Sequence, residues 1–152
     1  MTNKNLTEDI LRHAHWENPA EENARIVEEL LKLPELDIQA LVVPRVGDAI
    51  VAAAVLKRIA IQKLEPFLVE LSTYFEDTTR YGAQEMVEVL ERFDRKILLD
   101  HLPKMFEIAD SLEWLGYIQA LMQKKGIAED SMTPEIKKRL QALRDFEAGD
   151  IS

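Results

Sequence analysis

The sequence predicts an all-α domain of about nine helices, arranged as a short right-handed stack of antiparallel helical hairpins. Two observations predict the helices: apolar residues recur at helical spacing in several segments, and proline-containing caps precede some of them. A third observation, the near-even spacing of three glycines, predicts the stacking. A non-repeating helical bundle is the alternative architecture.

Length and composition predict one domain. The chain has 152 residues, of which 47% are hydrophobic, so it can bury a core of ordinary size. We divide it into an N-terminal helical hairpin (7–33), helical repeats (34–126), a C-terminal capping helix (133–147) and a tail (148–152).

The first and last helices are predicted from their opening residues. Thr7-Glu8-Asp9 is expected to begin a first helix that reaches toward Trp16. Asn18-Pro19 and Thr133-Pro134 each combine a capping side chain with a proline at the first helical position. Single apolar stripes follow both of these pairs, which predicts amphipathic helices.

The middle of the chain reads as further hairpins. A short helix is predicted over 36–43, ending near Pro44 because proline disfavours helix in the preceding residue. The segment 46–61 has Asp48, Lys57 and Arg58 as its only charged residues, which predicts a buried central helix.

Four later helices complete the expectation. Pro66 is expected to open one, and Asp77-Thr78 to cap the next. A helix over 97–109 contains Pro103. We expect a bend or a break there because proline has no backbone N–H to donate to the preceding turn of the helix. Asp110-Ser111 should cap a helix over 112–124, which Gly126 is placed to end.

The repeat signal comes from glycines. Gly47, Gly82 and Gly116 are 35 and 34 residues apart, each early in the second helix of a predicted hairpin and each followed by apolar positions. A period of about 35 residues with one hairpin per unit is typical of an α-solenoid. In period and helix layout the segment 34–126 resembles the HEAT-like class of helical repeats, although its units are shorter than typical HEAT units. This resemblance implies a protein-binding surface.

No catalytic, cofactor or metal motif is present in the sequence. The chain has no cysteine, no glycine-rich phosphate loop and no His-Glu-x-x-His pair. His13 and His15 would point to opposite sides of a regular helix, and His101 has no histidine neighbour, so neither arrangement predicts a metal site. We therefore predict no catalytic residue, no cofactor-binding residue and no metal ligand.

Charge argues against nucleic acid. The net charge is −9, which repels phosphate backbones. Two basic clusters interrupt the acidic chain, at Lys57, Arg58 and Lys63 and at 137–139, and neither is interleaved with aromatic residues. The acids Glu85, Glu88 and Glu91 line one helix and are expected to form a solvated row with i,i+4 pairing.

The candidate binding residues are aromatic and basic side chains beside two of the glycines: Arg80, Tyr81, Trp114 and Tyr117. Tyrosine, tryptophan and arginine are enriched at interface hot spots, although at helical spacing they more often belong to a core. These residues favour a non-enzymatic interaction or scaffold module that binds another protein or a second copy of itself. The alternative is a helical bundle with a small-molecule or metal pocket, possibly an enzyme.

The cellular location is predicted from what the sequence lacks. The longest apolar run is 49–56, far shorter than the roughly 20 residues that span a bilayer. The N-terminal residues contain no apolar stretch of the signal-peptide kind. A cytoplasmic protein without membrane contact is the expectation.

Overall fold

The computed structural model describes the backbone of residues 3–149 and the side chains of residues 6–149, and the predicted tail lies partly outside this range. All regular structure in the described range is helical, as the sequence predicts. The α-helices are α1 (Asn3–Leu11), α2 (Ala20–Leu31), α3 (Ile38–Val42), α4 (Ala49–Leu56), α5 (Ile61–Leu64), α6 (Leu68–Ser72), α7 (Ala83–Leu90), α8 (Arg95–Ile108), α9 (Leu112–Lys124) and α10 (Pro134–Glu147). Short 3₁₀ turns lie at Glu65–Phe67, Thr73–Glu76 and Glu129–Ser131.

The helices pack as neighbours along the chain. Each of α1, α3 and α6 packs against the longer helix that follows it, namely α2, α4 and α7. The three longer helices also pack side by side, with α4 between α2 and α7. Beyond them, α9 packs on the Thr73–Glu76 turn and is covered by α8 and α10.

The central helix α4 is buried, as its composition predicts. Val51, Ala52, Ala53, Val55 and Leu56 are all at most 5% exposed, because α2, α3 and α7 surround the helix. The helix is shorter than predicted, since its regular turns end at Leu56. The next residues, Lys57 and Arg58, carry charges into solvent.

Side-chain caps begin four of the helices. Ser111 and Thr133 accept hydrogen bonds from the backbone N–H groups of Trp114 and Ile136, as predicted. Asp94 caps α8 in the same way, and Asp48 accepts from two N–H groups of α4. Each carboxylate also lies at the positive end of a helix dipole, which favours it there.

The predicted start of the first helix is wrong. The helix begins at Asn3 instead, and Thr7 lies in its interior, fully buried, where its hydroxyl accepts a hydrogen bond from the N–H of Asp37 at 3.0 Å. Trp16 lies beyond the end of α1. The side chain of Asn18 does not cap α2 but donates to the carbonyl of His13 at 2.8 Å, which closes the turn between α1 and α2.

The segment that Pro66 was predicted to open is divided into short pieces. Helix and 3₁₀ turns alternate from Ile61 to Glu76, with Pro66 inside one of the 3₁₀ turns. Asp77 accepts from the N–H of Thr79 in a local turn instead of capping α7, so that prediction is wrong.

Pro103 does not break its helix. The helix α8 runs without interruption from Arg95 to Ile108, although Pro103 removes one backbone donor. Pro103 lies on the exposed side, while Leu98, Leu102, Met105 and Phe106 are buried on the other side. This burial offsets the lost hydrogen bond.

The three evenly spaced glycines differ in geometry. Gly47 and Gly82 have φ angles of +74° and +81°, a region that favours glycine. A Cβ on Gly47 would lie 2.0 Å from the carbonyl oxygen of Leu11, and one on Gly82 would lie 2.6 Å from the Cβ of Ala49. Gly116 lies inside α9 with open space beside it. The first two glycines therefore permit close approach between hairpins, and the third does not serve this purpose.

Candidate functional site

Large apolar side chains are exposed around a cleft at the N-terminal ends of α2 and α4. Trp16 is 70% exposed, Tyr81 54% and Ile50 38%. All three line a depression of about 590 Å³ between α2 and α4, together with Ala24 and Ala54. A second depression of about 600 Å³ adjoins it and shares Trp16, Asp48 and Tyr81. We call this double depression the aromatic cleft.

The floor of the aromatic cleft carries a carboxylate. Asp48 lines both depressions although it is only 6% exposed. One of its oxygens accepts from the N–H groups of Ile50 and Val51, at 2.8 and 3.2 Å. The other oxygen accepts from the hydroxyl of Tyr81 at 2.7 Å. The same side chain therefore starts α4 and holds an aromatic residue of the next hairpin.

The hydrogen bond to Asp48 positions Tyr81. Burial of its hydroxyl, the hydrogen bond to Asp48 and the negative charges of Asp48 and Glu85 raise the pKa of Tyr81 to about 12. The hydroxyl is therefore protonated near neutral pH and donates to the carboxylate. Half of the residue remains exposed because its hydroxyl end lies against Asp48 while the rest faces the cleft.

Trp16 stands in the turn that follows α1. It stacks on His15 with 5.6 Å between the ring centroids. The backbone of His15 is held in turn by Asn23 of α2, whose side-chain amide donates to the His15 carbonyl at 2.9 Å. The turn that carries Trp16 is thus tied to α2 by hydrogen bonds, and the indole is presented to solvent on a supported loop.

The other end of the cleft is closed by an ion pair. Arg58, which follows α4, donates to the carboxylate of Glu28 on α2, and both residues line the cleft. This hydrogen bond and the charge of Arg58 lower the pKa of Glu28. The ion pair connects α2 to the end of α4, and Glu28 neutralises the positive charge of Arg58.

The predicted binding residues lie in different environments. Tyr81 lies in the aromatic cleft. Arg80 stacks on the buried ring of Tyr74, with its guanidinium carbon 4.6 Å from the ring centroid. Trp114 is 5% exposed and offers little surface to a partner. Tyr117 is half-buried and stacks on Phe75 at 5.8 Å.

A smaller depression lies between α9 and α10. It measures about 500 Å³ and is lined by Gly116, Tyr117, Leu143 and Phe146 among others. Phe146 is 54% exposed, the same fraction as Tyr81. The two acids among the described residues that line this depression, Glu113 and Glu147, are both exposed, so neither is a buried carboxylate like Asp48.

The remaining candidate groups have structural partners or stand apart. Within residues 3–149 no group of three or more His, Asp or Glu side chains could hold a metal ion. Glu88 and Glu91 pair with Lys57 and Lys124 of neighbouring helices, at 2.5 Å each, so contacts between helices replace the i,i+4 pairing predicted for this row. Arg92 itself donates to the carbonyl of Leu56.

Sequence reasoning missed three residues of the cleft, Trp16, Ile50 and Asp48. Trp16 lies between the apolar residues of the first helix and the Asn18-Pro19 pair that begins the next one, which is the signal that it stands in a turn between two helices. Asp48 is the single acid in an otherwise apolar segment. An isolated acid at that place indicates an N-cap.

Comparison of this chain with known protein families, with curated proteins and with solved structures finds no match. In the part of the chain that the structure describes, every helix is too short or too polar to cross a membrane. The inference about function therefore depends on the geometry of the cleft.

Proposed function

We propose that this protein is a non-enzymatic interaction module that binds another protein through the aromatic cleft. The observation that carries the proposal is the convergence of three exposed apolar side chains, Trp16, Ile50 and Tyr81, on one depression. Exposed apolar surface gathered in one place marks binding sites more often than single exposed residues do.

The cleft is formed before any partner arrives. The hydroxyl of Tyr81 is held by Asp48, and the turn of Trp16 is held by Asn18 and Asn23. Fixed aromatic side chains lose little conformational entropy on binding, which increases the affinity gained per contact. This favours a binding surface over an incidental exposed patch.

We further propose that the helices form a short HEAT-like stack. Polar contacts between helices recur at similar sequence separations, which are 30 residues for Glu28 and Arg58, 31 for Lys57 and Glu88, and 33 for Asp48 and Tyr81. Contacts between neighbouring units at a repeated separation are expected of a solenoid. The cleft then lies on the row formed by α2, α4 and α7.

The proposal is tested by affinity capture from a lysate of the source cells, with bound proteins quantified by mass spectrometry. The baits are the wild type, Trp16→Ala, Tyr81→Ala and Phe146→Ala. Phe146 is as exposed as Tyr81 but lies at the other end of the molecule, so its variant is the matched control.

We expect a protein that the wild type and Phe146→Ala retain and that both cleft variants lose. Removing a hot-spot aromatic costs about 2 kcal/mol or more, which is roughly a 30-fold loss of affinity. Circular dichroism melting confirms that each bait is folded. A set of bound proteins that is the same for the wild type and both cleft variants would contradict the proposal.

A further inference from the structure

The aromatic cleft has a charged floor without an ionic partner. Asp48 is buried, with only 6% of its surface exposed. None of the ion pairs formed within the described residues includes its carboxylate. Its three hydrogen-bond donors, two backbone N–H groups and the Tyr81 hydroxyl, are all uncharged. Buried charges in proteins are usually paired with an opposite charge.

The surroundings of the cleft reinforce this negative potential. The negative charge of Glu85 contributes to the raised pKa of the Tyr81 hydroxyl. His15 lines the cleft, and the carboxylate of Glu17 lies 3.8 Å from one of its ring nitrogens. Among the described residues that line the cleft, Arg58 alone carries a guanidinium, and this group is already paired with Glu28. Fields inside a depression with apolar walls are focused, so a cation is attracted there more strongly than to an open surface.

The side chains that form the walls of the cleft also favour a cationic ligand. Trp16 and Tyr81 line both depressions together with Asp48, and aromatic faces attract cations through their quadrupoles, tryptophan most strongly. Ile50 and Ala54 supply apolar surface beside them. A lysine or arginine side chain combines a cationic head with an apolar stem, and it can place each part against matching surface.

We propose that the aromatic cleft binds the cationic head group of a lysine or arginine that belongs to a basic segment of another protein. This inference rests on the proposed interaction function and names the chemistry of the partner. The head group approaches the Asp48 carboxylate between Trp16 and Tyr81, while neighbouring apolar residues of the segment cover Ile50. Acidic segments and phosphate groups are repelled by the same carboxylates.

The test uses synthetic peptide pools and the 152-residue chain. In each pool one central position is lysine, arginine, norleucine, glutamine or glutamate, and the flanking positions are mixtures of alanine, leucine and serine. Norleucine has nearly the shape of lysine without the charge, so the ratio of lysine to norleucine affinities isolates the contribution of the cation. Affinities are measured by fluorescence anisotropy at low salt and at physiological salt.

We expect the wild type to prefer the lysine and arginine pools over norleucine about tenfold, and to bind the glutamate pool least. Asp48→Asn keeps an oxygen that accepts the N–H groups of α4 but removes the charge, so its preference for lysine over norleucine should fall several-fold, and the aromatic faces account for what remains. Asp94→Asn makes the same change at the cap of α8 and is the matched control, which should keep the wild-type preference.

A second variant keeps the test decisive if Asp48→Asn is unstable. Trp16→Leu retains apolar area but removes the aromatic face, and because Trp16 is mostly exposed this change leaves the core intact. It should lower the preference for lysine over norleucine by several-fold.

Three outcomes would overturn the inference. The first is equal affinity for the lysine and norleucine pools, or no binding of any pool. The second is an unchanged lysine preference in Asp48→Asn. The third is that n-butylammonium or tetramethylammonium binds as tightly as the peptide pools, which would indicate a site for small organic cations. Any of these results would reject the hypothesis that the partner is a basic segment. If lysate capture still depends on Trp16 and Tyr81, the proposed interaction function would nevertheless be supported.

Discussion

The two ends of the molecule use the same kinds of residue differently. Around α2, α4 and α7 a tryptophan and a tyrosine are exposed, and the glycines have left-handed backbone conformations at close contacts. Around α8, α9 and α10 the tryptophan is buried, and Gly116 lies in ordinary helix with free space beside it.

This difference shows that glycines at even spacing in the sequence need not have the same backbone conformation or the same contacts. Gly82 precedes α7 and lies against Ala49, whereas Gly116 is the fifth residue of α9, where an added Cβ would meet no atom within 4 Å. The second half has no such glycine contact, and Arg139 of α10 donates there to the carbonyl oxygens of Phe106 and Ala109 at the end of α8, as Arg92 does to the carbonyl of Leu56 in the first half. Two ways of joining helices therefore occur in one chain.

The largest effect on stability is expected when Gly47 or Gly82 is replaced with alanine. Gly47→Ala and Gly82→Ala each introduce a Cβ into occupied space at a positive φ, so we expect each to lower the free energy of unfolding by about 3 kcal/mol. Urea denaturation monitored by circular dichroism measures this loss. A loss below about 1 kcal/mol at both positions would show that these contacts relax easily.

Arg139 provides the corresponding test of the second half. Arg139→Met keeps most of the aliphatic stem but removes the donors to the two carbonyl oxygens at the C-terminus of α8. We expect a loss of about 1 to 2 kcal/mol in the free energy of unfolding. Lys138→Met, one residue earlier on the exposed side of α10, is the control and should change stability little. Equal effects of the two substitutions would argue against this account of how α8 and α10 are joined.

Gly116→Ala should act in the opposite direction. Alanine is favoured over glycine inside a helix, and the site has open space, so we expect stability to rise by about 0.5 to 1 kcal/mol. The same denaturation experiment applies. A destabilised Gly116→Ala protein would mean that Gly116 shares the packing role of Gly47 and Gly82, and the contrast between the two halves would disappear.

The smallest expected effect concerns alkaline pH. The folded state raises the pKa of Tyr81 to about 12, above the ordinary value of about 10. The unfolded chain therefore ionises first, so the contribution of this tyrosine is complete below pH 10 and is lost as the pH rises toward 12. Burial also raises the pKa of Tyr74, so ultraviolet titration should show two late tyrosines, of which only Tyr81 moves toward 10 in Asp48→Asn. A titration curve unchanged by that substitution would contradict the hydrogen bond.

The sequence predicts most of the helices because local chemistry determines where they begin. The caps at Ser111 and Thr133 are found where predicted, since each depends on residues within one turn. The burial of α4 also follows from its composition alone. The segment 61–76 could not be predicted in detail, because its breaks into 3₁₀ turns depend on packing against α7 and α8.

The candidate site was harder to predict because its residues are distant in sequence. Tyr81 was identified from its residue type, but its contact with Asp48 joins positions 33 residues apart. Trp114 satisfied the same criteria as Tyr81 and is buried, since residue type alone does not distinguish an interface aromatic from a core aromatic. Exposure of Trp16 follows from the way the turn after α1 is tied to α2.

The two tryptophans allow the most direct test of the aromatic cleft. Trp16 and Trp114 are the only tryptophans in the chain, and their indole N–H groups give two separate signals in a ¹H–¹⁵N correlation spectrum. Titration with the lysine-containing peptide pool should shift the Trp16 signal and leave the buried Trp114 signal in place. A shift of the Trp114 signal with the Trp16 signal unmoved would contradict the assignment of the binding surface to the aromatic cleft.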